Sequence, residues 1–190
     1  MIDLLKKVTV EEIDSFDLSH LKKLGFRFQD NFTFPPGNSP YKLYAYLSTL
    51  FNNKIILDVG TEYGNSSLSF SYNENNKVIT YNIIEQGASN ISKENITWKV
   101  MDFRNDNTID YDNVEVICID VDPHDGKQEV EMIQFLKDKK WSGILLLDDI
   151  HKDHQMDNFW NALDFSEDVK YDITSIGHSS GTGVIYFNSK

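Results

Sequence analysis

Apolar positions along the chain fall into short blocks separated by polar breaks. Ile55, Ile56 and Leu57 lead into Asp58, after which Gly60 and Gly64 frame a brief polar loop. This pattern predicts a buried strand over 54–59 and, from Leu68 and Phe70 set among small residues, a helix over 66–72 broken by the asparagines that follow. Residues 77–84 form a nearly continuous β-branched run, as buried parallel strands do. Shorter strands are predicted over 96–100, 115–119 and 142–147, with a weak helix over 90–95. An amphipathic helix over 128–137 turns Val130, Ile133, Phe135 and Leu136 inward, and another helix covers 156–165. The tail reads as two strands, 170–176 and 183–187, joined by a glycine-bounded loop.

Upstream, Leu4, Leu5 and Val8 recur at helical spacing, as do Leu18, Leu21 and Leu24. Thr9 followed by Glu11 and Glu12 opens a short helix with its acids at the positive end. Residues 26–40 alternate aromatic and polar positions, then end in prolines and a glycine, which reads as a loop or lid over a ligand, with Phe28, Phe32 and Phe34 as its aromatic face or simply as packing. Residues 41–51 form a helix with Leu43, Tyr44, Leu47 and Leu50 on one face. Strands alternating with helices and closing in a hairpin predict an α/β fold: a seven-stranded sheet, mostly parallel, with an antiparallel last strand and helices on both faces. Residues 1–190 form one domain, in which 1–40 are an N-terminal helical or lid segment and 41–190 the α/β core.

Composition narrows the picture. With 190 residues, 40% of them hydrophobic, the chain is long enough to bury a sizeable core. A net charge of -12 argues against a nucleic-acid partner and against an anionic membrane surface. No apolar run approaches bilayer length, and the N-terminus lacks a signal-peptide core. The single cysteine, Cys118, sits in an apolar run and is a core residue; together these features point to a cytoplasmic protein.

Parallel strands share one C-terminal edge, where open α/β sheets bind ligands. The predicted strands end there at Asp58, at Asn82 to Glu85, at Asp102, at Asp120 and Asp122, and at Asp148, Asp149 and His151. So many carboxylates on one edge repel each other unless cations or hydrogen-bond donors compensate. A divalent cation (Mg²⁺, Mn²⁺ or Ca²⁺) is the economical answer, and N-capping by Asp148 or Asp149 is the alternative. The glycine loop fails the dinucleotide fingerprint, because Gly60 is followed by Thr61 and Glu62, and it lacks a P-loop's lysine.

Asp58-Val-Gly-Thr-Glu-Tyr-Gly-Asn-Ser-Ser67 instead resembles the first motif of class I S-adenosylmethionine-dependent methyltransferases. The acids after Ile119 and Leu147 resemble the metal-dependent O-methyltransferases of that superfamily, and Asp148-Asp-Ile-His151 resembles the macrocin and mycinamicin sugar enzymes. The likeness spans about residues 41–187 and implies a Rossmann-like methyltransferase fold. It implies that Asp58, Gly60, Thr61, Gly64, Ser66, Asn82 and Asp102 bind S-adenosylmethionine. It further implies that Asp120, Asp148 and Asp149 hold the metal, that His151 with Asp120 is catalytic, His151 as general base, and that a sugar or other small-molecule hydroxyl is methylated. Asn82 departs from the acid usual at the second strand's end, and Glu85 is the residue that could reach back in its place. His124 and His178 are expected as substrate contacts. A non-catalytic S-adenosylmethionine-binding module in a biosynthetic assembly is the competing function, and a homo-oligomer of the chain is left open.

Overall fold

A computed structural model of the chain describes residues 5, 7–25, 27–87, 90–166 and 169–187. Seven strands form one sheet: β1 (Ile55–Val59), β2 (Lys77–Asn82), β3 (Ile96–Val100), β4 (Val114–Ile119), β5 (Gly143–Asp148), β6 (Lys170–Asp172) and β7 (Thr182–Phe187). Their order is β3-β2-β1-β4-β5-β7-β6. The first four neighbouring pairs are parallel, and β7 runs antiparallel to both β5 and β6. Six strands therefore point one way and the last points back, as the pattern predicts.

Among the described residues these α-helices accompany the sheet: α1 (Val10–Asp14), α2 (Tyr41–Thr49), α3 (Asn65–Phe70), α4 (Lys127–Asp138) and α5 (His154–Ala162). Alternation along each strand divides the core in two. Ile56, Val116, Cys118, Ile144 and Leu146 pack with α2, α3 and the upstream residues Ile13, Leu18, Leu21 and Phe32. Leu57, Ile117, Ile119, Leu145 and Leu147 pack with α4 and α5 on the other face. Register places Asp58 beside Cys118 and Cys118 beside Leu146. Asp58 and Asp148 thus lie on the α2–α3 face, and Asp120, one step past β4, continues the same row.

Local chemistry sets the ends. Thr9 and Glu12 form a reciprocal capping box on α1, with Glu12 Oε2 accepting from Thr9 N at 2.8 Å. Asp153 caps α5, accepting from the amides of Gln155 and Met156 at 2.8 and 3.0 Å. Gly126 occupies the cap position of α4. Neither Asp148 nor Asp149 is a cap, so the capping alternative is set aside.

Several expected elements differ. Residues 91–95 are loop and turn, not helix, and Ser19–Lys23 is a 3₁₀ turn. The strand expected over 77–84 stops at Asn82, because its partners stop at Val59 and Val100; Ile83 and Ile84 are exposed beyond it. The strand expected over 170–176 is paired only to Asp172, and the helix expected over 156–165 starts at His154 and ends at Ala162. On α4, Val130 is exposed, and Met132 with Ile133 and Leu136 faces the core. Leu4 lies outside the described residues. No helix among the described residues is long and apolar enough to cross a membrane.

Candidate functional site

The turn after β1 is held from within. Asp58 is buried, and its carboxylate accepts from Ser66 Oγ at 2.8 Å, from Thr61 Oγ1 at 3.2 Å and from Ser67 Oγ. Burial pushes its pKa up against those hydrogen bonds. Gly60 has φ +96°, and a Cβ there would lie 1.5 Å from the carbonyl oxygen of Asp120. Gly64 has φ +86°, and its Cβ would meet Ile91 Cδ1 at 2.7 Å. Both glycines thus let the loop pack against its own protein. Of the residues expected to bind cofactor, Asp58 serves the loop, as one part of its expected role requires, and Thr61 and Ser66 are its donors.

Two cavities open along this edge. The first, about 320 Å³, is lined by Gly60, Asn82, Asp102, Asp120, His124 and Asp149 among others, with Met101, Phe103 and Met132 as apolar wall. Asn82 Nδ2 lies 3.4 Å from Gln86 Oε1, and Glu85 Oε1 accepts from Gly87 N at 2.7 Å. Asp102 is gripped by Arg104, through Nε at 3.0 Å and Nη2 at 2.6 Å, and this pairing holds its pKa low. Arg104 also reaches Glu131 on α4 at 3.2 Å.

The second cavity, about 380 Å³, lies on the α2–α3 side and is lined by Phe28, Phe34, Tyr41, Asp148 and His178 together with the loop residues Thr61 and Ser66. Gly60, Glu62, Asp120 and Asp149 line both spaces. Phe32, by contrast, is fully buried and belongs to the core.

Between the cavities the acids interleave with histidines. Two ligand groupings share Asp149, one with Asp120 and His124, the other with Asp148 and His178; within each the ligand atoms lie within 4.8 Å. The expected trio Asp120, Asp148 and Asp149 is thus split between two groupings, and the two expected substrate contacts sit among the acids. His124 Nε2 is 3.5 Å from Asp149 Oδ2 and 3.9 Å from Asp120 Oδ1. His178 Nδ1 is 3.5 Å from Asp148 Oδ2 and 3.3 Å from Asp149 Oδ1, and these carboxylates push its pKa up to about 10. Burial alone would raise Asp149, but hydrogen bonds from His178 and Ser180 hold it well below the usual carboxylate range. Lys152 adds a cation 3.2 Å from Asp149 Oδ2. Asp120 moves the other way: its side chain is 44% exposed, but enclosure in the cleft and the charges of Asp148 and Asp149 beside it raise it well above its ordinary value. Asp148 Oδ1 is buried with no hydrogen-bond partner.

His151 is not brought to this cluster. Its Nδ1 lies 2.7 Å from Asp157 on α5, its Nε2 lies 2.8 Å from Asp172 at the end of β6, and it lines neither cavity. Hydrogen bonds to Asp157 and then Asp172 raise its pKa. The imidazole ties two elements together, which leaves it no ring nitrogen for a substrate proton.

Residues the sequence reading missed include Lys152, Ser180, Arg104 and Ser39. Lys152 stands three positions after Asp149 and was legible as an ion-pair partner; Ser180 and Ser39 arrive from distant loops with no local signal. Backbone strain marks the site as well. Phe28, Glu62, His124 and Asp149 all have positive φ, at 52°, 46°, 56° and 58°, and all line one cavity or both. Non-glycine residues adopt that region rarely, and they cluster at functional sites.

No protein-family model and no curated protein matches the chain. Solved structures do. The SAH-bound methyltransferase PaMTH1 of Podospora anserina aligns with a TM-score of 0.61 at 13% identity, over 90% of this chain and 86% of that one. A putative caffeoyl-CoA O-methyltransferase of Staphylococcus aureus gives 0.58 at 15%, over 78% and 82%. A SAM-dependent methyltransferase of Aquifex aeolicus gives 0.52 at 18%, over 90% and 98%. The chain therefore has the Rossmann-like fold found in S-adenosylmethionine-dependent methyltransferases.

Proposed function

We propose that this protein is an S-adenosylmethionine-dependent O-methyltransferase acting, with a divalent cation, on a hydroxyl of a sugar or other small molecule. The observation that carries this reading is the pair of cavities meeting at Gly60, Glu62, Asp120 and Asp149. A two-substrate transfer needs two spaces that share a boundary, with the reacting groups at that boundary.

The first cavity suits the donor. Its apolar wall of Met101, Phe103 and Met132 fits a nucleoside base, and Asn82 and Asp102 supply polar edges beside it. When bound, S-adenosylmethionine supplies an electrophilic methyl group on sulfur. The second cavity takes the acceptor. Asp148, with its unpartnered buried oxygen, and Asp149 and Asp120 offer the oxygen donors that Mg²⁺, Mn²⁺ or Ca²⁺ prefer, with His124 and His178 beside them. Such an ion would lower the pKa of the acceptor hydroxyl.

Proton acceptance belongs to Asp120 in this reading. It reaches both cavities, so a carboxylate oxygen not engaged by the ion stands at the boundary where the acceptor hydroxyl gives up its proton. His151, expected as the base, becomes a positioning residue that fixes the segment after β5. Asn82 supports a second reading, a cofactor-binding module without turnover, because its amide is turned to Gln86 where the resembled family carries an acid.

Thermal melting tests the first step. S-adenosylmethionine at millimolar concentration should raise the midpoint, NAD should not, and Mg²⁺ should add to the shift where EDTA does not. No shift with S-adenosylmethionine would sink the proposal. A shift without methyl transfer to any alcohol in a broad acceptor panel would favour the binding module.

A further inference from the structure

The boundary between the two cavities carries one acid that neither the ion nor the glycine loop uses. Of the residues lining both spaces, Gly60 packs its backbone on Asp120, and Asp120 and Asp149 belong to the groupings able to hold a cation. Glu62, the remaining one, is in neither grouping. It is exposed, and among the described residues nothing forms an ion pair or a hydrogen bond with its carboxylate. The cations of this region are turned elsewhere. Arg27 donates to Oη of the adjacent Tyr63 at 3.2 Å, and Lys152, in the donor cavity, lies 3.2 Å from Asp149 Oδ2.

The backbone of Glu62 is held where a glutamate is disfavoured. Its φ is +46°, between Gly60 at +96° and Gly64 at +86°. A glycine would meet that geometry freely, so a glutamate there carries a local penalty, and outliers of this kind at a ligand boundary point to use of the side chain. A separate observation places its charge. Glu62 is one of the acids that raise Asp120, so its carboxylate lies within electrostatic reach of the shared boundary.

In the methyltransferase reading, on which this inference rests, the methyl group crosses at that boundary. The methyl–sulfur bond breaks with its electron pair going to sulfur, the acceptor oxygen's pair forms the new bond, and the acceptor's proton passes to Asp120. A sulfonium cation thereby becomes a neutral thioether. We infer that Glu62 recognises the sulfonium of the donor, and so favours the charged donor over its neutral product. A fixed carboxylate attracts the first by Coulomb interaction and not the second. Asp120 and Asp149 supply less of that contrast once an ion shares their charge.

The test is calorimetric titration of the full chain in Mg²⁺ buffer with S-adenosylmethionine, with SAH, and with sinefungin, which carries an ammonium group where the donor carries its sulfonium. Glu62→Gln should weaken both cationic probes about fivefold and SAH by less than about twofold, as removal of one nearby unit charge predicts. Glu62→Gly, whose main chain suits the turn, should keep the melting midpoint and show the same selective loss. Asp112→Asn removes one exposed charge ahead of β4, at the opposite edge of the sheet, and should change no ratio between probes. It separates a local contact from the overall charge of -12. Equal weakening of all three probes by Glu62→Gln would make Glu62 a part of the loop's shape and overturn the inference. So would unchanged binding in that variant, or the same selective loss in Asp112→Asn. If neither S-adenosylmethionine nor SAH binds the parent protein, the methyltransferase reading fails and this inference falls with it.

Discussion

At the scale of single residues, the site is decided by a few positions with no freedom to change. Gly60 is one, because a Cβ there would overlap the main-chain oxygen of Asp120, and backbone cannot swing aside as a side chain can. At Gly64 the nearest atoms are side-chain ends, those of Ile91 and Trp98. Gly60→Ala should therefore cost upwards of ~3 kcal/mol, whereas Gly64→Ala should cost about 1–2 kcal/mol from its positive φ and some side-chain adjustment. Urea unfolding of the two variants measures the difference, and equal losses would contradict the contact. Asp120 and His151 make a second contrast. Asp120→Asn should lower kcat by about 10²–10⁴ while SAH still binds, since a general base is lost and the donor cavity is kept. His151→Gln should lower the melting midpoint, because the clamp between Asp157 and Asp172 is broken, with kcat reduced by less than about tenfold. A His151 variant that folds normally and has lost all turnover would return the proton to histidine.

At the scale of elements, position parity did much of the arranging. Strand side chains alternate, so Asp58, Cys118 and Leu146 share a face with Asp148, and Asp120 follows in step. That row was legible, because three apolar strands ending in acid place those acids on one edge. What was not legible depended on partners far away in sequence. Ile83 and Ile84 have strand-forming side chains but no strand beside them, and the ladder ends at Asn82. Val130 looked buried because Glu129 did not; the inward stripe of α4 is Glu129, Met132, Ile133 and Leu136, and a charged residue inside it shifts the apparent phase. His151 follows the acids in sequence, yet the left-handed turn at Asp149 carries it off to Ser180, whose carbonyl accepts from its backbone amide at 2.7 Å. The β2–β3 pair supplies a test at this scale. Asp106 accepts from Tyr81 Oη on β2 at 2.7 Å and from Lys99 Nζ on β3. Burial opposes its charge, but the bonds from Lys99 and Thr108 prevail and hold its pKa below the ordinary value. A depressed carboxylate stabilises the fold above its unfolded pKa of ~3.9, and that contribution is lost as pH falls through the folded value. Asp106→Ala should cost about 3 kcal/mol at neutral pH, and its gap from the parent protein should narrow as the pH drops below about 4. A gap that stays constant in acid would show that the loss is packing alone.

For the whole molecule, the net charge of -12 and the acid row act together and must be separated by experiment. Monovalent salt should raise the melting midpoint, because self-repulsion over the surface is screened within a Debye length of about 10 Å at 0.1 M. That gain needs no site. A divalent ion seated among Asp148, Asp149 and Asp120 should add a further increment at matched ionic strength, about 2.7 kcal/mol once its concentration reaches a hundredfold its Kd. Asp148→Asn should erase the increment and leave the response to monovalent salt unchanged, since it removes one charge of many and one oxygen donor of few. In the parent protein EDTA should reverse the increment alone. Mg²⁺ giving no more than sodium chloride at equal ionic strength would mean that His124, His178 and Lys152 already balance the acids. Asp120, flanked by the two cavities, would then have to work as a base without a metal.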